Sequence, residues 1–121
     1  MTPILRRLHA LPSALFALAL VVISYLALSP APPQAADLGW DKLNHFSAFG
    51  TLVLLGGLAW PAGLGRLAWA LLGYGGLIEI LQTQVPGRSA EWADLLADGI
   101  GILLGLALTL VLRRLAGRVR R

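Results

Sequence analysis

The feature that most constrains this chain is the stretch PSALFALALVVISYLALS, residues 12–29, which carries no charged side chain. As a helix rising about 1.5 Å per residue, it nearly spans the ~30 Å hydrocarbon core of a bilayer. Pro12 suits the first turn of such a helix, and Pro30, Pro32 and Pro33 forbid its continuation. Arg6 and Arg7 ahead of the stretch also fit a secretory signal. Its apolar part is longer than such segments, and the small-residue site Ser29-Pro30-Ala31 is followed by proline, so the stretch is expected to stay as a span.

Three further apolar stretches follow, at about 43–60, 66–84 and 94–112, the second closed by the turn signal Pro61-Ala62-Gly63. Composition agrees: 57% of residues are hydrophobic, 13% are charged and the mean hydropathy is +0.74, whereas soluble domains are about a quarter charged. The expectation is an all-α membrane protein, a four-transmembrane-helix bundle forming one domain over residues 1–121, with a basic tail at 113–121.

Four spans place both termini and the 61–65 loop on one side. Arg6, Arg7, Arg66, Arg113, Arg114, Arg118, Arg120 and Arg121 belong to that side, and only Lys42 and Arg88 to the other. Lys and Arg collect in cytoplasmic flanks, so both termini are expected in the cytoplasm. This topology accounts for the basic pI of 10.7 without nucleic acid, and the tail LRRLAGRVRR suits anionic headgroups. The absence of cysteine excludes disulfides and thiolate chemistry.

All six acidic residues, Asp37, Asp41, Glu79, Glu91, Asp94 and Asp98, fall toward the outer side. Asp41 and His45 are four apart on one helix face, with Lys42 and Asn44 beside them; Glu79 and Gln82 are three apart, and Asp94 and Asp98 four apart. An ionisable side chain facing lipid costs at least about 2.5–3.5 kcal/mol, so these faces are expected to meet inside the bundle as a polar pocket open outward. In the loop after the third stretch, Val85-Pro86-Gly87 reads as a Pro-Gly turn that leaves Arg88 free to turn back toward the carboxylates, the one outer cation suited to a two-pronged grip on a phosphate or carboxylate. Ser89 is a candidate N-cap for a short helix through Glu91, Trp92 and Asp94, and Trp40 and Trp92 fit interfacial positions. Gly101 and Gly105 form a GxxxG pair that admits a neighbouring backbone, and Gly73 with Gly76 is a second candidate.

The elements DKLNHFSAFGTL, YGGLIEILQ and VPGRSAEWADLLADGIGILLG resemble, in order and spacing, the VanZ-like family of small bacterial membrane proteins, named for a protein associated with resistance to the glycopeptide teicoplanin. The resemblance covers about residues 37–112, with motif positions at Asp41, Lys42, His45, Phe46, Glu79, Gln82, Arg88, Asp94, Asp98 and Gly101. Where members commonly carry asparagine after the DLLA element, this chain has Asp98, which adds an ionisable group. The resemblance implies a bacterial cell membrane and an envelope phenotype rather than a reaction.

Three functions compete. In one, the outer pocket binds or modifies an envelope lipid or lipid-linked precursor: Lys42 and Arg88, with Asp41, Gln82 and Asp94, hold the ligand, and His45, Glu79 and Asp98 are candidate acids and bases. In another, a noncatalytic pocket sequesters a lipid or a glycopeptide, or the polar residues simply bridge helices, with His45 a packing residue and Asp94 a helix cap. An ion or proton pathway fits worst, because the inner halves of the later helices hold no ionisable relay beyond Arg66. No catalytic Ser-x-x-Lys, GxSxG or HExxH element is present, and GIGILLG has neither the spacing nor the setting of a nucleotide loop. No cofactor is identified; His45 with Glu79 and Asp98 offers one histidine and two carboxylates to a divalent metal. The expected partner is membrane lipid, with an envelope precursor or glycopeptide as candidate ligand and no nucleic acid.

Overall fold

A computed structural model describes residues 3–119. The described residues form four α-helices, α1 (Pro3–Leu28), α2 (Asp41–Ala59), α3 (Leu64–Gln82) and α4 (Trp92–Val119), with one 3₁₀ turn (Gln34–Ala36) and no strand. Three of them, α1, α3 and α4, are long and apolar enough to cross a membrane. Helix α2 is the exception because its first turns hold Asp41, Lys42, Asn44 and His45.

Helix α2 packs against all three others, most extensively against α4. Gly101 comes so close to α2 that an added Cβ would lie 3.0 Å from the Phe46 backbone, and one on Gly105 would lie 2.8 Å from Val53 Cβ and 3.1 Å from the Gly50 carbonyl. The GxxxG pair of α4 therefore does what its spacing predicts, with α2 as the partner. The second glycine prediction fails: Gly73 and Gly76 face open space, and Gly75 is the close-approach residue on α3, its Cβ position 2.6 Å from Asp98 Oδ2.

Helix ends differ from expectation by more than two residues in two places. Helix α1 starts nine residues earlier than position 12, so Pro12 sits inside it. Proline there removes one i to i−4 hydrogen bond; the helix-forming residues on both sides carry the helix through, and Ser13 Oγ donates to the His9 carbonyl at 2.7 Å. Helix α4 does not stop at 112. Leu, Arg and Ala are strong helix formers, so LRRLAGRV continues to Val119 and the helix reaches about 42 Å, longer than a bilayer core. Of the expected basic tail, Arg120 and Arg121 lie outside the described residues.

The apolar interior is formed by Phe16 of α1, Phe49, Leu52 and Val53 of α2, Leu67 and Leu71 of α3, and Ile102 of α4. Beside it are buried Glu79, Gln82, Asp94, Asp98 and Thr109, while Val21, Trp69, Ile80, Leu96 and Leu103 are exposed on the outside. An apolar exterior around buried carboxylates is the arrangement a lipid solvent demands. Apolar burial drives little helix association in lipid, so close backbone packing does more of it.

Replacing Gly105 by alanine should lower the detergent melting temperature, with an overpacking cost of about 1–3 kcal/mol. Gly73→Ala, with open space at its Cβ, should be neutral or stabilising by up to about 1 kcal/mol; equal melting of the two variants would refute the packing assignment.

Candidate functional site

Helices α2 and α4 run parallel, and their contact aligns polar residues one turn apart on each. Lys42 faces Asp94, and His45 faces Asp98. The Lys42 ammonium donates to Asp94 Oδ1, to Asp41 Oδ2 at 3.2 Å and to Glu91 Oε2 at 3.5 Å. One turn further in, His45 Nδ1 lies 2.6 Å from Asp98 Oδ1, within ring N–H donation, and His45 Nε2 is 3.7 Å from Asp94 Oδ1. Asp98 is almost fully buried, and the bare backbone at Gly75 makes room for its carboxylate.

Helix α3 supplies Glu79 and Gln82, both buried. Glu79 Oε2 accepts the backbone N–H of Glu91 at 3.0 Å, so a buried carboxylate anchors the residue that leads into α4. Gln82 Nε2 donates to the Ala27 carbonyl at 2.9 Å near the end of α1. Their other oxygens, Glu79 Oε1 and Gln82 Oε1, are buried without a hydrogen-bond partner. Such orphans cost roughly 1–3 kcal/mol each, more when charged. One atom from each of His45, Glu79 and Asp98 lies within 4.8 Å of the other two, and Asp41, His45 and Asp94 form a second group of that kind.

Beside this cluster, between α1 and the α2–α3 pair, is a cavity of about 530 Å³. Its polar end is lined by Asp37, Asp41, Asn44, His45, Gln82, Arg88 and Asp98, and its apolar end by Ala19, Val22, Ile23, Ala48 and Phe49. Over residues 5–113 the chain matches the family model described as VanZ/LLP1. The chain belongs to the VanZ/LLP1 family. No curated protein and no solved structure matches it. With its three span-length apolar helices, it is a VanZ-like membrane protein.

Of the motif residues in this VanZ-like chain, Asp41, Lys42, His45, Glu79, Asp94 and Asp98 come together as the spacing predicts. Arg88 does not. The Pro86-Gly87 turn forms as expected, with Gly87 at φ +77° and the Arg88 N–H donating to the Val85 carbonyl at 3.1 Å. The guanidinium, however, turns to the end of α1, where Nε donates to the Ser29 carbonyl at 2.9 Å and Nη2 to the Leu26 carbonyl at 2.8 Å. The last carbonyls of a helix lack intrahelical donors, and they compete successfully with the carboxylates. No short helix starts at Ser89 either: residues 88–91 are irregular, α4 opens at Trp92, and Asp94 is buried on Lys42 in the first turn rather than capping it.

The spacing named Asn44 but not its partners, and it did not reveal Tyr74 or His9. Asn44 Oδ1 accepts the Leu38 N–H at 2.9 Å while its amide donates to Asp37 Oδ1 at 3.0 Å, and Gly39 N–H donates to the same oxygen at 2.9 Å. These bonds hold the Asp37 carboxyl below the usual carboxylate range, the Asn44 amide contributing most. Tyr74 OH lies 2.6 Å from Ser24 Oγ, tying α3 to α1 within the cavity wall; a lone tyrosine in an apolar helix was the available signal. At the opposite end His9 Nδ1 lies 3.2 Å from the Leu58 carbonyl, and Arg113 Nη2 donates to the Gly57 carbonyl at 2.9 Å.

Because the folded pKa of Asp37 is depressed, the stability it contributes is full above the ordinary value of 3.8 and is lost as pH falls through the folded value. Carboxyl NMR titration should place Asp37 below 3.8, and Asn44→Ala should raise it toward that value while the Gly39 N–H still holds part of the shift; an unmoved titration would remove Asn44 as the cause.

Two substitutions separate bridging from site chemistry. Arg88→Gln strands α1 carbonyls and should cost about 1–3 kcal/mol. In chelator-stripped protein, Glu79→Gln keeps an acceptor for Glu91 while removing a buried charge, and residues retained for function are often replaceable without loss of stability, so it should melt at or above wild type. A fall for Glu79→Gln as large as that for Arg88→Gln would make Glu79 a structural bridge.

Proposed function

We propose that this VanZ-like protein binds an amphiphile of the bacterial cell envelope from the outer leaflet, seating the headgroup at the carboxylate-rich end of the cavity and the chain along its apolar end. The observation that carries this reading is the lining of the 530 Å³ cavity, which passes from Asp41, His45 and Asp98 at one end to Val22, Ile23 and Phe49 at the other. That volume is within the range of about 300–1,000 Å³ of small-molecule sites. In this reading all four helices span the membrane with both termini in the cytoplasm. The distribution of charge supports it: Arg6, Arg7, Arg66, Arg113, Arg114 and Arg118 occupy one end of the bundle, and the acidic residues with Lys42 and Arg88 the other.

The headgroup class follows from which cations are spent. Lys42 is engaged by three carboxylates and two of the Arg88 nitrogens by α1 carbonyls. The polar end therefore favours a headgroup that donates, through hydroxyl or ammonium groups, over a bare phosphate. Gln82 Oε1 and the Asp41 and Asp98 carboxylates are the acceptors that fit it. A second reading, modification of the bound lipid, is favoured by the 2.6 Å contact that orients the His45 ring on Asp98, with Glu79 as a further acid or base.

Mixed vesicles of phosphatidylethanolamine and phosphatidylglycerol test the reading. Protein released from them in the presence of a chelator should retain phosphatidylethanolamine about tenfold over phosphatidylglycerol in native mass spectrometry, a difference of about 1.4 kcal/mol. Val22→Trp narrows the apolar part of the cavity and should reduce retention; Leu103→Trp, on the outward groove between α3 and α4, should not. Preference for phosphatidylglycerol, or equal retention in both variants, would defeat it.

A further inference from the structure

We propose that His45, Glu79 and Asp98 bind one divalent first-row transition-metal ion at the wall between the lipid cavity and the α3–α4 packing. Three observations converge on this site. The first is donor geometry: one atom from each residue lies within 4.8 Å of the others, a triangle that closes around a cation with metal–ligand distances near ~2.1 Å after small side-chain shifts. The second is an orphan. Glu79 is more than nine-tenths buried, Oε2 is used by the Glu91 N–H, and Oε1 has no partner. A buried carboxylate with one oxygen unpaired, clustered with an imidazole and a second buried carboxylate, has an evident use as a ligand.

The third is charge. Around this end of the bundle Asp41, Glu91, Asp94, Asp98 and Glu79 face one ammonium and one imidazole. Lys42 is shared among the outer group, Asp41, Glu91 and Asp94, so the alternative triad of Asp41, His45 and Asp94 already has a cation beside it. The inner pair, Glu79 and Asp98, has only His45. Arg88, which would otherwise supply charge, is turned onto α1. Two buried carboxylates in a membrane protein are costly unless paired or coordinated, and a divalent ion compensates both. Gly75 adds the room: any side chain there would meet Asp98 Oδ2.

The donor set selects the ion class. Imidazole suits zinc, iron and copper, and carboxylates suit manganese and magnesium, so one histidine with two carboxylates fits Zn²⁺ or Mn²⁺. Ca²⁺, which takes about six to eight oxygen ligands, is disfavoured by the small number of donors, and Mg²⁺, a hard ion that takes oxygen ligands, is disfavoured by the histidine. Water or a lipid headgroup oxygen on the cavity side of His45 and Asp98 completes the coordination.

The test uses full-length protein in detergent, stripped with chelator and then dialysed against Mn²⁺ or Zn²⁺. One ion per chain should survive desalting, Ca²⁺ and Mg²⁺ should not compete, and pulsed EPR of the Mn²⁺ form should show coupling to a ligand nitrogen. Glu79→Gln and Asp98→Asn should each weaken binding by about 10- to 100-fold or more, the range already seen on losing outer-shell partners of ligands, whereas Asp41→Asn should leave it unchanged. No retained ion, an ion without nitrogen coupling, or an ion lost in Asp41→Asn but kept in Glu79→Gln would each overturn the proposal. The nitrogen coupling is read on wild type, so it holds even where Asp98→Asn fails to fold. Val22→Trp should keep the ion while retaining less lipid, which separates failure of this site from failure of the lipid reading.

Discussion

Nearly everything at the polar end depends on the close approach of α4 to α2. Because Gly101 and Gly105 carry no Cβ, α4 can lie against the Phe46 and Gly50 backbone, and in lipid such backbone proximity supplies the packing that apolar burial would supply in water. The two helices run parallel from there, so the register that brings Gly105 to Gly50 also brings Asp98 to His45 and Asp94 to Lys42. At the other end of the same contact Thr109 approaches Gly57, and Arg113 reaches the Gly57 carbonyl. A bulky residue at position 101 or 105 would separate the helices and leave four ionisable groups without partners inside an apolar shell.

Helices α1 and α3 form the second parallel pair, and they are joined differently. Ser24 meets Tyr74, Gln82 reaches the Ala27 carbonyl, and Arg88 reaches the carbonyls of Leu26 and Ser29. These are side-chain bridges at intervals, and a cavity remains between them. The α2–α4 pair is closed by backbone packing and holds the charges; the α1 side is propped by polar struts and holds the space. The division places His45 and Asp98 on the α2–α4 side of the cavity and Ala19, Val22 and Ile23 on the α1 side, with Ala48 and Phe49 of α2 completing the apolar lining.

Much of this was legible from spacing alone. Residues four apart share a helix face in any α-helix, so Asp41 with His45 and Asp94 with Asp98 were bound to present together, and the cost of charge in lipid turned them inward. GxxxG carried its own signal. What spacing does not contain is the rotation of one helix relative to its neighbour, which decides that Gly75 rather than Gly73 or Gly76 meets Asp98. Nor does it rank competing acceptors: Arg88 had carboxylates and helix-end carbonyls within its chemistry, and only the path of the turn from Val85 to Arg88 delivers it to α1. Helix limits were blurred for a related reason. Hydropathy marks where lipid could cover a helix, whereas α1 and α4 extend past that limit on ordinary helix propensity.

The placement of the two cations then shapes what the site can recognise. Had Arg88 faced the carboxylates, the polar end would carry a smaller excess of negative charge and would suit a phosphate better. With Arg88 withdrawn and Lys42 shared among three acids, the end keeps an excess of acceptors. An excess of buried acceptors is stable only when something donates to them or coordinates them. A donor-bearing headgroup satisfies those that line the cavity, and a metal ion satisfies Glu79 and Asp98 behind them. The two proposals therefore meet the same physical demand at different depths, and Asp98, which belongs to both the cavity wall and the inner triad, is the residue through which occupancy of one would be felt by the other.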